Sequence, residues 1–257
     1  MSTFGHVLPV KKGISPIIDG IGSSVTITGM PRAARIAPGG VVFHVLNRGN
    51  DRRRIFDDRG DYEAFLRVMQ ETQAHVEMRV LAYCLLPNHW HLLLWPVADG
   101  DLGTFMQRLT TTHVRRWRLH RRSVGRGHLY QGPYKSFPVQ EDDHFYAVAR
   151  YVERNALRAK LARTAEAWPW SSLAQRANRQ GAKEAPELSA WPVSRPRNWA
   201  AWVNEPQTEQ ELEAVRLSVN RGRPFGGDEW RKIAAERLGL EFTLHPRGRP
   251  RKTKEAE

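Results

Sequence analysis

Met78-Arg79-Val80-Leu81-Ala82-Tyr83-Cys84-Leu85-Leu86, then Pro87-Asn88, then His89-Trp90-His91-Leu92-Leu93-Leu94-Trp95 and Pro96, is the stretch that decides the fold. Two apolar, β-rich runs around a short punctuation read as a hairpin, and Pro96 ends the second run. Upstream, Val41-Val42-Phe43-His44-Val45-Leu46 is another such run, closed by the turn signal Asn47-Arg48-Gly49-Asn50. Between them, residues 60–75 place Tyr62, Phe65, Leu66, Met69 and Thr72 at helical spacing. Downstream, residues 101–122 predict a long helix with Leu102, Phe105, Met106, Leu109 and Trp117 as its buried stripe. Gly125-Arg126-Gly127 breaks it, and a fourth strand or loop runs from His128 to Val139. A last helix is expected over 141–161, with acids at its start where they complement the helix dipole. Its stripe is Phe145, Val148, Ala149, Val152 and Ala156.

The order strand–helix–strand–strand–helix–strand–helix predicts an α+β, ferredoxin-like sandwich with a central antiparallel sheet and helices mainly on one face. Residues 1–29 are weakly patterned and read as a disordered leader, with Met30 an alternative start. Residues 30–175 hold the core. Residues 176–206, rich in Pro, Arg and Trp, read as a linker. Residues 207–257 read as a basic, mainly helical or irregular C-terminal extension, with helices near 207–219 and 227–238.

The 257 residues carry 40 Lys+Arg against 27 Asp+Glu, a formal net charge of +13. Such a surplus favours a polyanionic partner, nucleic acid first and an anionic membrane surface second. A single cysteine, Cys84, excludes an internal disulfide and a cysteine-rich zinc site. No stretch of about 18 apolar residues is present to span a membrane. No secretory signal is recognisable, so the expected place is the cytoplasm, with the nucleoid. No Gly-x-x-x-x-Gly-Lys-Ser/Thr motif is present, and no nucleotide cofactor is expected.

His89 and His91 are the sharpest chemical feature. Residues i and i+2 of a strand point to one face, so the two imidazoles can share a metal while Trp90 packs the other way. Many His-x-His pairs merely sit at a sheet surface; the hairpin and the apolar strand favour the metal reading here. Tyr151 and Asn155 lie four apart on a predicted helix and share a face. A tyrosine hydroxyl can attack a phosphodiester, and an amide oxygen can complete the shell of a hard ion. Tyr151 alone would read as an ordinary half-buried aromatic. Tyr146, on the same helix, is followed four residues later by Arg150, which is no metal ligand.

Charge placement is the third feature. No Asp or Glu occurs from Leu102 to Gln140, while Arg108, Arg115, Arg116, Arg118, Arg121, Arg122, Arg126 and Lys135 do. A solvated helix normally mixes signs. One-sign runs interleaved with Trp117, Tyr130, Tyr134 and Phe137 suit a DNA strand, with phosphates on arginine and bases on rings. Arg108, Arg115 and Arg122 recur every seven residues on one helix face. Lastly, Arg221-Gly222-Arg223-Pro224 returns as Arg247-Gly248-Arg249-Pro250. This reads equally as a minor-groove hook and as a disordered basic tail.

Asn47-Arg48-Gly49-Asn50, Pro87-Asn88-His89-Trp90-His91, Gly127-His128-Leu129-Tyr130-Gln131-Gly132 and Arg150-Tyr151-Val152-Glu153-Arg154-Asn155 occur in that order. Together they resemble the HUH single-tyrosine transposases, specifically the REP-associated tyrosine transposase branch, over roughly residues 30–175. The resemblance implies the HUH nuclease fold and a single-strand DNA endonuclease and strand transferase. It implies His89 and His91 as metal ligands, Tyr151 as nucleophile, Asn155 as third metal-binding side chain, and Mg²⁺ or Mn²⁺ as the ion. It implies single-stranded and hairpin DNA as partners, in a monomer or homodimer. Expected DNA contacts are Arg48, Arg108, Arg115, Arg118, Arg122, Lys135, Arg247 and Arg249. Relatives often have Pro after the asparagine, where this chain has Ala156, and Trp and Arg where it has Tyr130 and Pro133. Two rivals stay open: a binding-only regulator on the same fold, and a zinc-dependent hydrolase with water as nucleophile.

Overall fold

The computed structural model describes residues 36–125, 127–177 and 184–245. The leader 1–29 and the second Arg-Gly-Arg-Pro, with Arg247 and Arg249, lie outside them. The strands are β1 (Val42–Arg48), β2 (Met78–Leu86), β3 (His89–Pro96) and β4 (Lys135–Val139). They form one sheet in the order β2-β3-β1-β4, every pair antiparallel, which is the ferredoxin-like order.

Period-two alternation sorts the sheet into two faces. Phe43, Val45, Tyr83, Leu85, Trp90, Leu92 and Leu94 join one core, under α1 (Arg59–Gln73) and α2 (Asp101–His120). Asp58 caps α1 through its side chain, accepting from the Asp61 amide. Val42, Cys84, Leu86, Leu93, Phe137 and Val139 join a second core, under α3 (Asp143–Glu153). Phe145, Val148, Ala149, Val152 and Ala156 are all fully buried, as the helical stripe required. The helix expected over 141–161 ends at Glu153 and resumes as α4 (Asn155–Arg158).

The expectation of helices mainly on one face is corrected by this second layer, which continues in α5 (Ser172–Arg176), α6 (Trp199–Asn204) and α7 (Glu209–Arg221). A sheet with two apolar faces must bury both. Two boundaries change with it. The described part of the expected linker is packed: Trp199 is 1% exposed and Val203 fully buried, against the α3 core. The described part of the extension is docked at α7, because Val215 belongs to that core. α8 (Asp228–Leu238) follows. Isolated tryptophans among prolines have no periodicity, so their burial had no local signature.

The first Arg-Gly-Arg-Pro is not a free hook. Gly222 ends α7 in a left-handed turn with φ 72°, a cap that favours glycine. Phe225 then pairs with β4, donating to the Pro138 carbonyl and accepting from the Gln140 amide, both at 2.9 Å.

Trp199 donates to Glu153 Oε2 at 2.6 Å, and burial raises that carboxyl above the usual range. Trp199→Ala removes a buried indole and leaves the carboxyl short of a partner. It is expected to cost about 3–5 kcal/mol, read as a shift in the denaturant midpoint. A loss below about 1 kcal/mol would make residues 184–206 a peripheral wrap.

Candidate active site

The four sequence motifs, far apart in the chain, meet at one end of the sheet. Gly49 N–H donates to Asn88 O at 2.8 Å, Asn50 N–H to Leu129 O at 2.7 Å, and Gln131 N–H to Arg48 O at 3.0 Å. Asn47 Nδ2 donates to Gly132 O at 3.1 Å. A Cβ on Gly49 would lie 2.4 Å from the Arg53 carbonyl oxygen, so only glycine fits that turn.

β3 aims His89 and His91 at the α3 face, ring centroids 5.1 Å apart. Trp90 points the other way, is fully buried, and donates to the Tyr130 hydroxyl at 3.1 Å. Tyr151, on α3, lies edge-on to His91 with centroids 5.7 Å apart. The structure therefore brings His89, His91, Tyr151 and Asn155 to one face. Tyr146 is elsewhere, its hydroxyl donating to Ser194 O at 2.6 Å.

The sequence reading missed two neighbours. His44 on β1 is fully buried, its Nε2 2.9 Å from His91 Nδ1 and its ring 6.2 Å from Tyr151. A histidine inside an otherwise apolar strand run was the available signal. Arg158 is the other. Its guanidinium lies 4.3 Å from the Tyr151 ring centroid and donates to Asn155 Oδ1 at 2.8 Å. It sits four residues after Arg154, one helical turn past the motif read from the sequence.

Burial holds all three histidines neutral. It lowers His44 to about 3 and His89 to about 4, with the Arg48 and Arg158 charges assisting at His89. His91 is held well below the usual value, by burial first and then by His44 and His89. Neutral imidazoles are the metal-binding form.

Each ring of the pair commits its Nδ1 to a neighbour, His89 to Asn88 Oδ1 at 2.6 Å and His91 to His44. Their Nε2 atoms are left for a ligand, as in sites whose outer partners orient the metal-binding histidines. The pair fits two positions of a divalent ion. Asn155 is less ready: Arg158 holds its Oδ1, and its Nδ2 is buried without a partner. Among the described residues no three His, Cys, Asp or Glu side chains group to hold an ion. Remaining positions would fall to water and phosphate oxygens.

The basic residues divide between the faces. Arg48 pairs in register with His89, and Lys135 with Leu46 beside His91, so both accompany the histidines. Arg108, Arg115 and Arg118 lie on α2, and Arg122 just after it, on the opposite side of the sheet. There Arg115 and Arg118 line a groove of about 700 Å³ with Met106, Val114, Tyr130 and Tyr134. Two arginines of the one-sign run are neutralised by acids on or just before α1: Arg116 by Glu71 at 2.7 Å, Arg121 by Asp57 and Asp61 at 2.8 and 2.5 Å. Three of the interleaved rings are structural. Tyr130 accepts from the buried Trp90 indole, Phe137 packs tilted against His44 with centroids 4.7 Å apart, and Trp117 donates to Ile55 O at 3.0 Å. Among the described residues no helix is long and apolar enough to cross a membrane.

The four-stranded antiparallel sheet with a helical layer on each face presents a histidine pair toward a tyrosine on the covering helix. Residues 40–155 match the sequence model of the IS200-like transposases. Two solved structures are similar. One is a REP-associated tyrosine transposase bound to a REP hairpin, 13% identical, covering 62% of this chain and 99% of its own, TM-score 0.48. The other is a candidate transposase from Deinococcus radiodurans, 15% identical, covering 59% and 97%, TM-score 0.34. No curated protein matches the sequence.

Proposed function

We propose that this protein is a transposase that cuts and rejoins single-stranded DNA beside a hairpin, REP-like in kind, through a 5′-phosphotyrosine on Tyr151. The observation that carries the reading is the Tyr151 ring set edge-on to His91, 5.7 Å away, over the face that also presents His89. The Tyr151 oxygen attacks phosphorus in line, and the bond from phosphorus to the 3′ oxygen breaks. The phenolic proton leaves Tyr151, and the departing 3′ oxygen gains one as the 3′-hydroxyl. Rejoining reverses these steps with a second 3′-hydroxyl, so one phosphoester replaces another and no nucleotide is consumed.

His89, His91 and, once freed from Arg158, Asn155 would hold Mg²⁺ or Mn²⁺. When bound, the ion supplies Lewis-acid polarisation of the scissile phosphate. Arg48 and Lys135 border this face and suit the strand being cut. Arg108, Arg115, Arg118 and Arg122 suit a DNA segment running across the other face, with Arg247 and Arg249 adding further basic contacts. The test is incubation with labelled hairpin and unpaired oligonucleotides and Mn²⁺. A protein–DNA adduct that survives SDS supports the reading; cleavage without an adduct would assign water as nucleophile and overturn it.

His44 has a defined part in this reading. For His91 Nε2 to offer a lone pair, His91 Nδ1 must carry the hydrogen and donate it to His44 Nε2. His44→Phe removes that acceptor and keeps a ring of similar shape. Mn²⁺ affinity, followed by electron paramagnetic resonance, is expected to fall about 10–100-fold with the fold retained. Unchanged affinity would make His44 a packing residue only.

A further inference from the structure

We infer that Arg158, with Arg48 facing it across the histidine pair, forms a clamp for the phosphodiester anion that Tyr151 attacks. This deepens the reading above and rests on it for the identity of the attacked group. Nine buried side-chain nitrogen and oxygen atoms among the described residues lack a hydrogen-bond partner, and four belong to His44, Arg48, Asn155 and Arg158. Orphaned polar atoms concentrated at one place call for a missing partner. Here the two charged ones name its chemistry. Arg158 Nη1 and Arg48 Nε are buried donors with nothing to donate to. Neither guanidinium is in an ion pair with a carboxylate among the described residues.

The surroundings add to the imbalance. Burial lowers the Arg158 guanidinium below its usual value, with Arg216 assisting and the Tyr151 hydroxyl opposing. A half-buried cation without a carboxylate partner still carries a desolvation cost. Proteins keep such a cost where an anion repays it, and a guanidinium fork matches two phosphate oxygens. Position agrees with this. Arg48 stands opposite His89 in the β1–β3 register, so both side chains leave the same face. Arg158 comes from the covering helix and lies against the Tyr151 ring. An anion seated on the histidine pair would have one guanidinium from the sheet and one from the helix. Arg158 would then touch both the nucleophile and the group it attacks, as a catalytic residue that stabilises charge on the phosphorane oxygens.

The experiment has two independent readings. In the first, inorganic phosphate is titrated into metal-free protein while the ring resonances of His89 and His91 are followed by NMR. The wild type should show a saturable shift. Arg158→Gln should weaken phosphate at least about tenfold, and Arg67→Gln, on the far side of the sheet, should leave it unchanged. In the second, the rate of adduct formation with a hairpin oligonucleotide and Mn²⁺ should fall about 10²–10³-fold in Arg158→Gln. Arg158→Lys keeps the charge and the stem but loses the fork, and should recover only part of both. It also serves if the glutamine variant fails to fold by circular dichroism. Equal phosphate affinity in wild type and both variants would overturn the clamp, even if adducts form. Phosphate binding that depends on Arg158 in a protein forming no adduct would uphold the anion site and sink the nuclease reading.

Discussion

Tyr151→Phe is expected to abolish the DNA adduct and strand cleavage together, a loss beyond about 10³-fold, while DNA binding stays near wild type. The change removes one oxygen from a side chain that is 6% exposed. The ring stays edge-on to His91 and under the Arg158 guanidinium, so its packing is kept while the hydroxyl's hydrogen bond with Arg158 is lost. Stability should therefore move by less than about 1 kcal/mol, which separates a chemical defect from a folding defect. Tyr146→Phe is the matched control. It sits on the same helix, but its hydroxyl is committed to Ser194 O and its ring packs on Trp199 and Trp202. Adduct formation measured on denaturing gels, beside binding of the same oligonucleotide, decides the matter. An adduct in Tyr151→Phe that vanishes in Tyr146→Phe would move the nucleophile to a residue outside the histidine face.

Acid is expected to unfold the metal-free protein early. Burial lowers His44 and His113 to about 3 and His89 to about 4, and holds His91 well below its usual value. The unfolded rings titrate near 6.5. As pH falls through that value, the unfolded chain takes up protons that the folded chain refuses. Stability is thus complete above about pH 6.5 and is lost as pH falls from there toward the folded-state values. By pH 5 each histidine should cost about 2 kcal/mol, and four together rival the whole stability of an ordinary domain. Glu153 and Glu141 oppose the trend, since burial raises their carboxyls, but they are two groups against four. Melting temperatures from pH 7.5 to 4.5 test this. A flat profile down to pH 5 would mean that the histidines are hydrated in solution.

Much of the sheet was legible locally because alternation and helical spacing are local properties. Residues 78–86 form β2 with the expected bounds, and β3 runs one residue past Trp95. The stripes of α1 and α3 were read correctly because a helix must show its apolar side to something. The pair His89 and His91 was legible for the same reason: period two fixes their common face whatever surrounds them. Tyr151 could be picked from six tyrosines only by its spacing to Asn155, and that spacing did not reveal Arg158, which takes the Asn155 oxygen.

What the sequence by itself determined is therefore the hairpin, the faces of its strands, the amphipathic helices and the order that makes the sheet ferredoxin-like. These follow from backbone geometry and the burial of apolar side chains, both written in spacing. Only the tertiary structure decided the partners. His44 meets His91 across 47 residues because β1 lies beside β3. Arg116 and Arg121 find their acids on α1, so a run that looked uniformly basic is partly neutral. Trp199 and the first Arg-Gly-Arg-Pro lie against the core instead of hanging from it. Each of these depends on which surfaces remain uncovered once the sheet has formed, and no local spacing carries that information.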